Sequence, residues 1–444
     1  MRRFFAFGLC LVVLSVLQAQ TLTLDSCLSL ALRNNSDVRT SQLEVLKAQE
    51  VKKQAFTKYF PQFQLGALGY YAAQPLIRFG IDDVESNDMR ELLQALYESV
   101  STETDMKNEL TLMKRGMSVT GTMVQPIYAG GRIVTGNRLA SLGVKAAELM
   151  GKAKTRDVIE NIESSYYLVT GLQQKVATLE AALALIDSLD RTVQVALANG
   201  LVTNADALQL TLKRNEMLAN QQQLKSGIRL SKRLLCQQIG IEYSDAIVFE
   251  DASDEMLSPI DFSFSAVADS MRPEMELLKL NVEAERLKKR MTIGEQLPQL
   301  AFMGNMFFGN MIRKESSANA IAVLTLTIPV TNWWENAHKI RAHNISIDEA
   351  LIMQDNYGKM MSLEEEKAYS DMMDAWMLMK SDKSSLELAK ENYRLANLNY
   401  SAGNTTISDV LLAHALLLQA ENAISDRLTT YRVARRRLQD LSNK

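Results

Sequence analysis

The sequence predicts a mainly α-helical chain with a small β part, arranged as two tandem structural repeats. Three observations lead there. The 444 residues hold only seven prolines, and none falls in 127–258 or 330–444. Those stretches are rich in Ala, Leu, Gln, Glu, Lys and Arg, all good helix formers. Four short segments alternate apolar and polar residues with a period of two, the signature of a strand. Finally, landmarks recur at fixed offsets, the mark of an internal repeat. Pro126 and Pro329 are 203 apart. ANGLVTNADALQL (198–210) and SAGNTTISDVLLA (401–413) match at the same offset, Gly200 with Gly403, Thr203 with Thr406, Asp206 with Asp409 and Leu208 with Leu411. Pro61 and Pro298 are 237 apart, as are Asp37 and Glu274, and Ala31 and Ala268. The difference, 237 − 203 = 34, is one insertion in the first half, between Pro61 and Pro126.

Residues 1–19 read as a secretory signal peptide, with Arg2 and Arg3 ahead of an apolar run and Ala19 as the last residue before cleavage. Cys10 lies inside that run rather than at its end, so no lipid anchor is expected. No other segment approaches the ~18–20 apolar residues of a membrane helix. Beyond the signal, Cys27 and Cys236 are too few for a disulfide framework and are expected as free, partly buried thiols. The net charge is −3 with Lys and Arg dispersed, which speaks against a nucleic-acid partner.

The first repeat is expected over 20–240, a connecting segment over 241–262 and the second repeat over 263–444. Each half runs helix, proline, two strands, proline, very long helix, turn and returning helix. In FQLGALGYY, residues 63, 65, 67, 69 and 71 share one face; in MSVTGTMV, residues 117, 119, 121 and 123 do. Leu300, Phe302, Met306 and Phe308 share a parity in the second half, as do Ala320, Ala322, Leu324, Leu326 and Ile328. Such alternation suits a small soluble sheet or membrane-barrel strands alike. Phe56, Tyr59, Phe60, Phe63, Tyr128, Trp333 and Trp334 gather beside the prolines, as in an interfacial girdle or a plug at a helix–sheet junction. Four strands cannot close a membrane barrel, and an open edge cannot face lipid, so membrane strands require several chains to share one barrel.

The helix from about 132 to 199 spans ~100 Å at 1.5 Å per residue and needs partners along its length. The last helix shows a seam: Val410, Leu417, Ile424, Tyr431 and Leu438 recur every seven residues, with Ala413, Ala420, Ala434 and Leu441 as the companion row, interrupted by Arg427. At the turns, Gly200 and Gly403 suit the left-handed conformation that ends a helix. Thr203 and Thr406 suit the N-caps of the returning helices, with Asp206 and Asp409 three residues on, near the positive end of the helix dipole.

These features together resemble the TolC family of outer-membrane efflux proteins: the signal peptide, the duplicated halves, F-P-Q-F and L-P-Q-L at the strand entries, QPIYAGGR, and two G-x-x-T-x-x-D turns. The resemblance covers essentially the whole mature chain. It implies a homotrimer in which each protomer gives four strands to a shared transmembrane β-barrel in the outer-membrane lipid, and long antiparallel coiled-coil helices to a periplasmic α-barrel. It implies hairpin tips near 199–206 and 402–409 that dock a periplasmic adaptor (membrane fusion protein), with Asn199, Gly200, Leu201, Thr203, Ala402, Gly403, Thr405 and Thr406 as the docking residues. Residues matching the family's periplasmic gate are Asp206, Tyr400 and Asp409. Thr405 and Leu412 depart from better-known members, which carry an arginine and a second acidic residue there; Leu412 then stands as a hydrophobic constriction. The implied role is a passive exit channel of a tripartite efflux or type I secretion system in a Gram-negative bacterium, fed by an inner-membrane pump of RND, ABC or MFS type. The insertion places a long acidic external loop at 75–109, with a short amphipathic helix over 89–100; it is expected as a solvated loop or as a lid over the external opening.

No catalytic, cofactor or metal constellation is legible. His338 and His343, five apart, do not share a helix face for zinc, and His414 is far from both. There is no phosphate loop and no G-x-S-x-G. Residues 364–366, all Glu, and 435–437, all Arg, read as solvated helix faces. The alternative to a channel is a pore-less coiled-coil structural protein of the cell envelope, which has no need of lipid-facing strands.

Overall fold

A computed structural model describes residues 21–74, 77–80, 84–100, 109–112, 115–200, 202–250, 272–310, 317–331 and 333–442. The expected signal peptide, parts of the 75–109 loop, Leu201, and residues 251–271, which include Ala268, lie outside the described residues. The elements run β1 Thr21–Leu22, α1 Leu24–Asn34, α2 Ser36–Phe56, β2 Gln62–Tyr71, β3 Ile77–Gly80, α3 Asn87–Val100, β4 Glu109–Leu112, β5 Arg115–Ala129, α4 Arg132–Ala198, α5 Asn204–Ile239, β6 Val248–Phe249, α6 Pro273–Gly294, β7 Gln299–Gly309, β8 Ser317–Thr327, α7 Trp333–Ser401 and α8 Ile407–Ser442. Among the described residues, no helix is long and apolar enough to cross a membrane. The chain divides into two compact units: Lys47–Lys145 with Leu280–Leu351, and Met1–Leu46 with Ala146–Lys279 and Ile352–Lys444.

The first of these units holds a four-stranded antiparallel sheet in the order β2-β5-β7-β8. β2 pairs with β5 and β7 with β8, and the two pairs meet through β5 and β7. The register fixes the faces. Leu65 lies opposite Gly121, Gly121 opposite Met306, and Met306 opposite Ala320. Adjoining rows on that face hold Phe63, Met123, Gly304 and Ala322, and Ala67, Val119, Phe308 and Ala318. The opposite face carries Gln64, Thr120, Thr122, Asn305 and Asn319, with Thr122 Oγ1 2.9 Å from Asn305 Oδ1. One face is apolar across all four strands, and the other mixes polar groups with apolar ones. Among the described residues, β2 and β8 are open edges.

β5 runs further than its alternation suggests. It continues past Pro126 to Ala129, with a register shift between Pro126 and Tyr128, as a residue without an N–H demands. Gly130 and Gly131, at φ 62° and 74°, then turn the chain into α4. A Cβ on Gly130 would lie 2.0 Å from the Gly294 carbonyl oxygen, so the GG of QPIYAGGR is set by backbone approach as well as by φ. Arg132 Nη2 donates to Gln299 Oε1 at 2.9 Å beside this corner. Phe56, Tyr59 and Phe60 pack on one another at 5.5–5.6 Å between centroids yet stay exposed, as do Tyr128, Trp333 and Trp334. They do not plug a core. The insertion holds more than the expected helix: β3 and β4 form a ribbon, and α3 stands between them.

The second unit is helical. Cys27, Ala31 and Val38 pack with Tyr166, Val169, Leu235 and Ile239, above a short parallel pairing of β1 with β6. Cys27 and Cys236 are free and buried, and burial pushes the Cys27 thiol up to about 12. On α8, Val410, Ala413, Leu417, Tyr431, Leu438 and Leu441 are buried, as the heptad requires. Arg427, which interrupts the companion row, is half-buried and paired with Asp382 at 3.1 Å. Ser425 Oγ donates to the Gly171 carbonyl oxygen at 3.2 Å, where α4 and α8 come close.

One expectation needs correction. Of the three glutamates 364–366, the middle one is not solvated. Glu365 is buried and accepts from Arg272 Nη2 at 2.5 Å, and the same nitrogen donates to the Leu441 carbonyl oxygen at 3.0 Å. Arg437 of the arginine run reaches Glu364 at 3.1 Å. Like charges in a row on a long helix face different neighbours: Arg272, just before α6, serves Glu365 and Arg437 of α8 serves Glu364, while Glu366 is exposed.

Candidate functional site: the two helical turns

The matched turns end α4 and α7 and begin α5 and α8. Gly200 and Gly403 take φ 66° and 75°, the left-handed region glycine enters freely. Gly200 N donates to the Leu197 carbonyl oxygen, and Gly403 N to that of Tyr400, both at 3.0 Å. Asn404 N reaches back to Asn399 O at 2.9 Å, closing the last turn of α7.

The returning helices start in the same way. Thr203 Oγ1 accepts from Asp206 N, and the Thr203 N–H donates to Asp206 Oδ2 at 2.9 Å, a reciprocal capping box. Thr406 and Asp409 repeat it, with Thr406 N donating to Asp409 Oδ2 at 3.1 Å. The second turn has one more donor: Thr405 Oγ1 lies 2.6 Å from Asp409 Oδ2. These hydrogen bonds, from Thr203 in one turn and from Thr405 and then Thr406 in the other, hold both carboxylates below the usual range. Asp206, half-buried, and Asp409, exposed, are thus charged groups whose hydrogen bonds, among the described residues, stay within their own turns. Removing one cap should loosen one turn. Thr406→Ala is expected to cost about 1 kcal/mol locally. Amide exchange over 404–412 should then speed roughly fivefold, with 201–209 unchanged.

Of the other expected residues, Asn199, Ala402 and Gly403 lie exposed at the turns, and Leu412 is exposed on α8. Leu201 is outside the described residues. The Tyr400 hydroxyl is buried and has no hydrogen-bond partner among the described residues. Burial first, and then the charge of Asp206, push that phenol up. The structure therefore brings Tyr400 near Asp206 without bonding them.

Three residues escaped the sequence reading. Ser408 Oγ donates to Gln209 Oε1 at 2.7 Å and ties the start of α8 to α5. His414 is 1% exposed, with its ring 5.4 Å from that of Tyr393 and its Nδ1 without a partner. A signal existed: at the 203 offset these positions break the repeat, Ser408 against Ala205, Gln209 against Leu412, and His414 against Thr211.

Burial, and then the charge of Lys213, lower the His414 pKa. The unfolded chain takes up a proton near the ordinary value of 6.5 while the folded chain does not. Stability from this group is therefore present above that pH and is lost as pH falls below it. Glu163, pushed up by burial to about 7, acts in the opposite sense, so the His414 share must be read by difference. Thermal melts of His414→Leu against the parent at pH 7.5 and 5 should show the variant losing less on acidification than the parent does.

Comparison with solved structures places this geometry. Crystal structures of CusC, described in terms of folding and transmembrane channel formation, match at TM-score 0.77 and 14% identity, over 94% of this chain and 91% of that one. The outer membrane protein VceC of Vibrio cholerae matches at 0.72 and 15%, over 94% and 95%. The Campylobacter jejuni CmeC outer membrane channel matches at 0.76 and 17%, over 94% and 85%. No family model and no curated protein matches the chain. At these identities the likeness concerns the fold, over nearly the full length of both partners. The chain has the fold of the outer-membrane channels.

Proposed function

We propose that this protein is the outer-membrane exit channel of a tripartite efflux or type I secretion system, working as a homotrimer in a Gram-negative envelope. The observation that carries the reading is the sheet. Its central rows are apolar across all four strands on one face, with Gln125 and Arg115 only towards the ends of β5, the other face carries most of the polar groups, and among the described residues an edge is unpaired at each end. Backbone groups at such edges cannot face lipid unpaired. Pairing β8 of one copy with β2 of the next satisfies both edges, and three copies give twelve strands, an even number in the range of outer-membrane barrels. The exposed aromatics beside the strand ends suit the water–lipid boundary.

The helices then form a periplasmic α-barrel, and the two capped turns of each copy become six near-equivalent tips for a periplasmic adaptor. Asn199, Gly200, Leu201, Thr203, Ala402, Gly403, Thr405 and Thr406 are the docking residues. Asp206, Tyr400, Asp409 and Leu412 line the periplasmic gate. Asp409 carboxylates held low in pKa give the mouth a preference for cations. The fold neighbours are channels rather than enzymes, and energy comes from an inner-membrane pump of RND, ABC or MFS type. A pore-less envelope scaffold leaves the two-faced sheet without a purpose.

The test is the mass and shape of the detergent-extracted protein by light scattering and negative-stain imaging. A trimeric tapered cylinder with a detergent belt at one end is expected. A monomer indifferent to detergent, or a solid rod, would overturn the reading. In planar bilayers, Asp409→Asn should reduce cation over anion selectivity.

A further inference from the structure

The insertion is the one large feature that the repeat does not account for. β2 ends at Tyr71 opposite Arg115 of β5, and beyond it Ile77 lies opposite Leu112. The ribbon β3–β4 thus prolongs the β2–β5 hairpin past the end of the sheet, and α3 lies between its two strands in the chain. A two-stranded ribbon and an isolated helix of 14 residues are each marginal in water. The sequence of α3 places apolar residues at 89, 92, 93, 96 and 100, the spacing of a helical seam. Yet Met89 is 50% and Leu92 60% exposed.

We infer that α3 packs against the α3 helices of the neighbouring copies, so that three seams meet over the external mouth of the shared barrel and narrow it. The inference rests on the trimeric reading above. Two observations choose a second copy as the occupant. The ribbon is rooted beside β2, the open edge that the next copy would pair, so three ribbons rise around one axis. Charge disfavours the other apolar destination, a lipid surface. Asp82, Asp83, Glu85, Asp88 and Glu91 lie in or just before α3, and the guanidinium of Arg90 is tied to the Val84 carbonyl oxygen at 2.9 Å. An anionic outer leaflet repels such a segment. Packed on its own copies, the seam is covered while the acidic side, with Glu91 opposite Met89 and Leu92, stays in water.

The test uses the full-length chain with Leu92→Cys, in detergent and in liposomes, with Glu91→Cys as the partner variant. The native thiols, Cys27 and Cys236, are buried. A short bis-maleimide should link Leu92→Cys chains into dimers, with up to two-thirds of chains linked, and at least fivefold less for Glu91→Cys. Leu92→Glu with Leu93→Glu should raise single-channel conductance about twofold at unchanged trimer mass. A trimer that gives no linkage at position 92, or equal linkage at both positions, overturns the inference and leaves the channel reading standing. Quenching of a fluorophore at position 92 by brominated lipid would assign the face to the membrane and overturn it too. A monomer by light scattering overturns both.

Discussion

Met306→Arg is expected to keep the chain out of the outer-membrane fraction while leaving its helices folded. Met306 is 68% exposed and sits mid-strand in the row Leu65, Gly121, Met306, Ala320. Arginine on the lipid face of a barrel near the midplane costs about 2–4 kcal/mol. At roughly 1.4 kcal/mol per factor of ten, that is about a 30- to 700-fold penalty for each copy, and three copies bear it together. Asn319→Arg, one residue from Ala320 on the opposite face, serves as the control and should insert normally. The measurement is the share of protein that floats with outer membranes and resists unfolding in unheated detergent. Equal tolerance at the two positions would mean that neither face meets lipid, and the envelope-scaffold reading would gain.

Arg272→Ala is expected to be the most destabilising change in the helical unit. Arg272 and Glu365 have side chains only 5% exposed, and their contact is 2.5 Å. Removing the guanidinium strands the Glu365 carboxylate and frees the Leu441 carbonyl oxygen that it also serves. Breaking one partner of such a buried pair costs about 3–5 kcal/mol. Replacing both by leucine removes the orphaned charge as well, so the double variant should recover most of that loss. Denaturant midpoints of the single and double variants decide the matter. A single variant within 1 kcal/mol of the parent would show that water reaches Glu365.

Much of this is legible in the sequence. The helices were legible because they are long and almost free of proline, so many weak propensities add up over each one. The turns were legible because they are duplicated: glycine, threonine and aspartate at the same offset twice are hard to mistake for chance. The strands were legible as alternation, although β5 was read short. Pro126 looked like a terminator and is instead a bulge that the strand passes through. The ribbon β3–β4 went unread because four-residue strands are too short to establish a period.

The candidate site divides in the same way. Thr203, Asp206, Thr406 and Asp409 act within four residues of one another, and local chemistry dictates their hydrogen bonds. Ser408 with Gln209, Tyr393 with His414, and Arg272 with Glu365 join different helices. Which residues meet there depends on the rotation and register of helices many turns long, and no local pattern encodes that.

The sequence by itself determined the long helices, the two matched capped turns and the two-faced strands, because each follows from periodicity or from neighbours in the chain. The tertiary structure alone decided that Glu365 is buried among its charged neighbours, that His414 lies sealed beside Tyr393, and that the two hairpins form one sheet through β5 and β7 with both outer edges open. Those outcomes rest on contacts between residues distant in the chain, where packing and desolvation choose the partners.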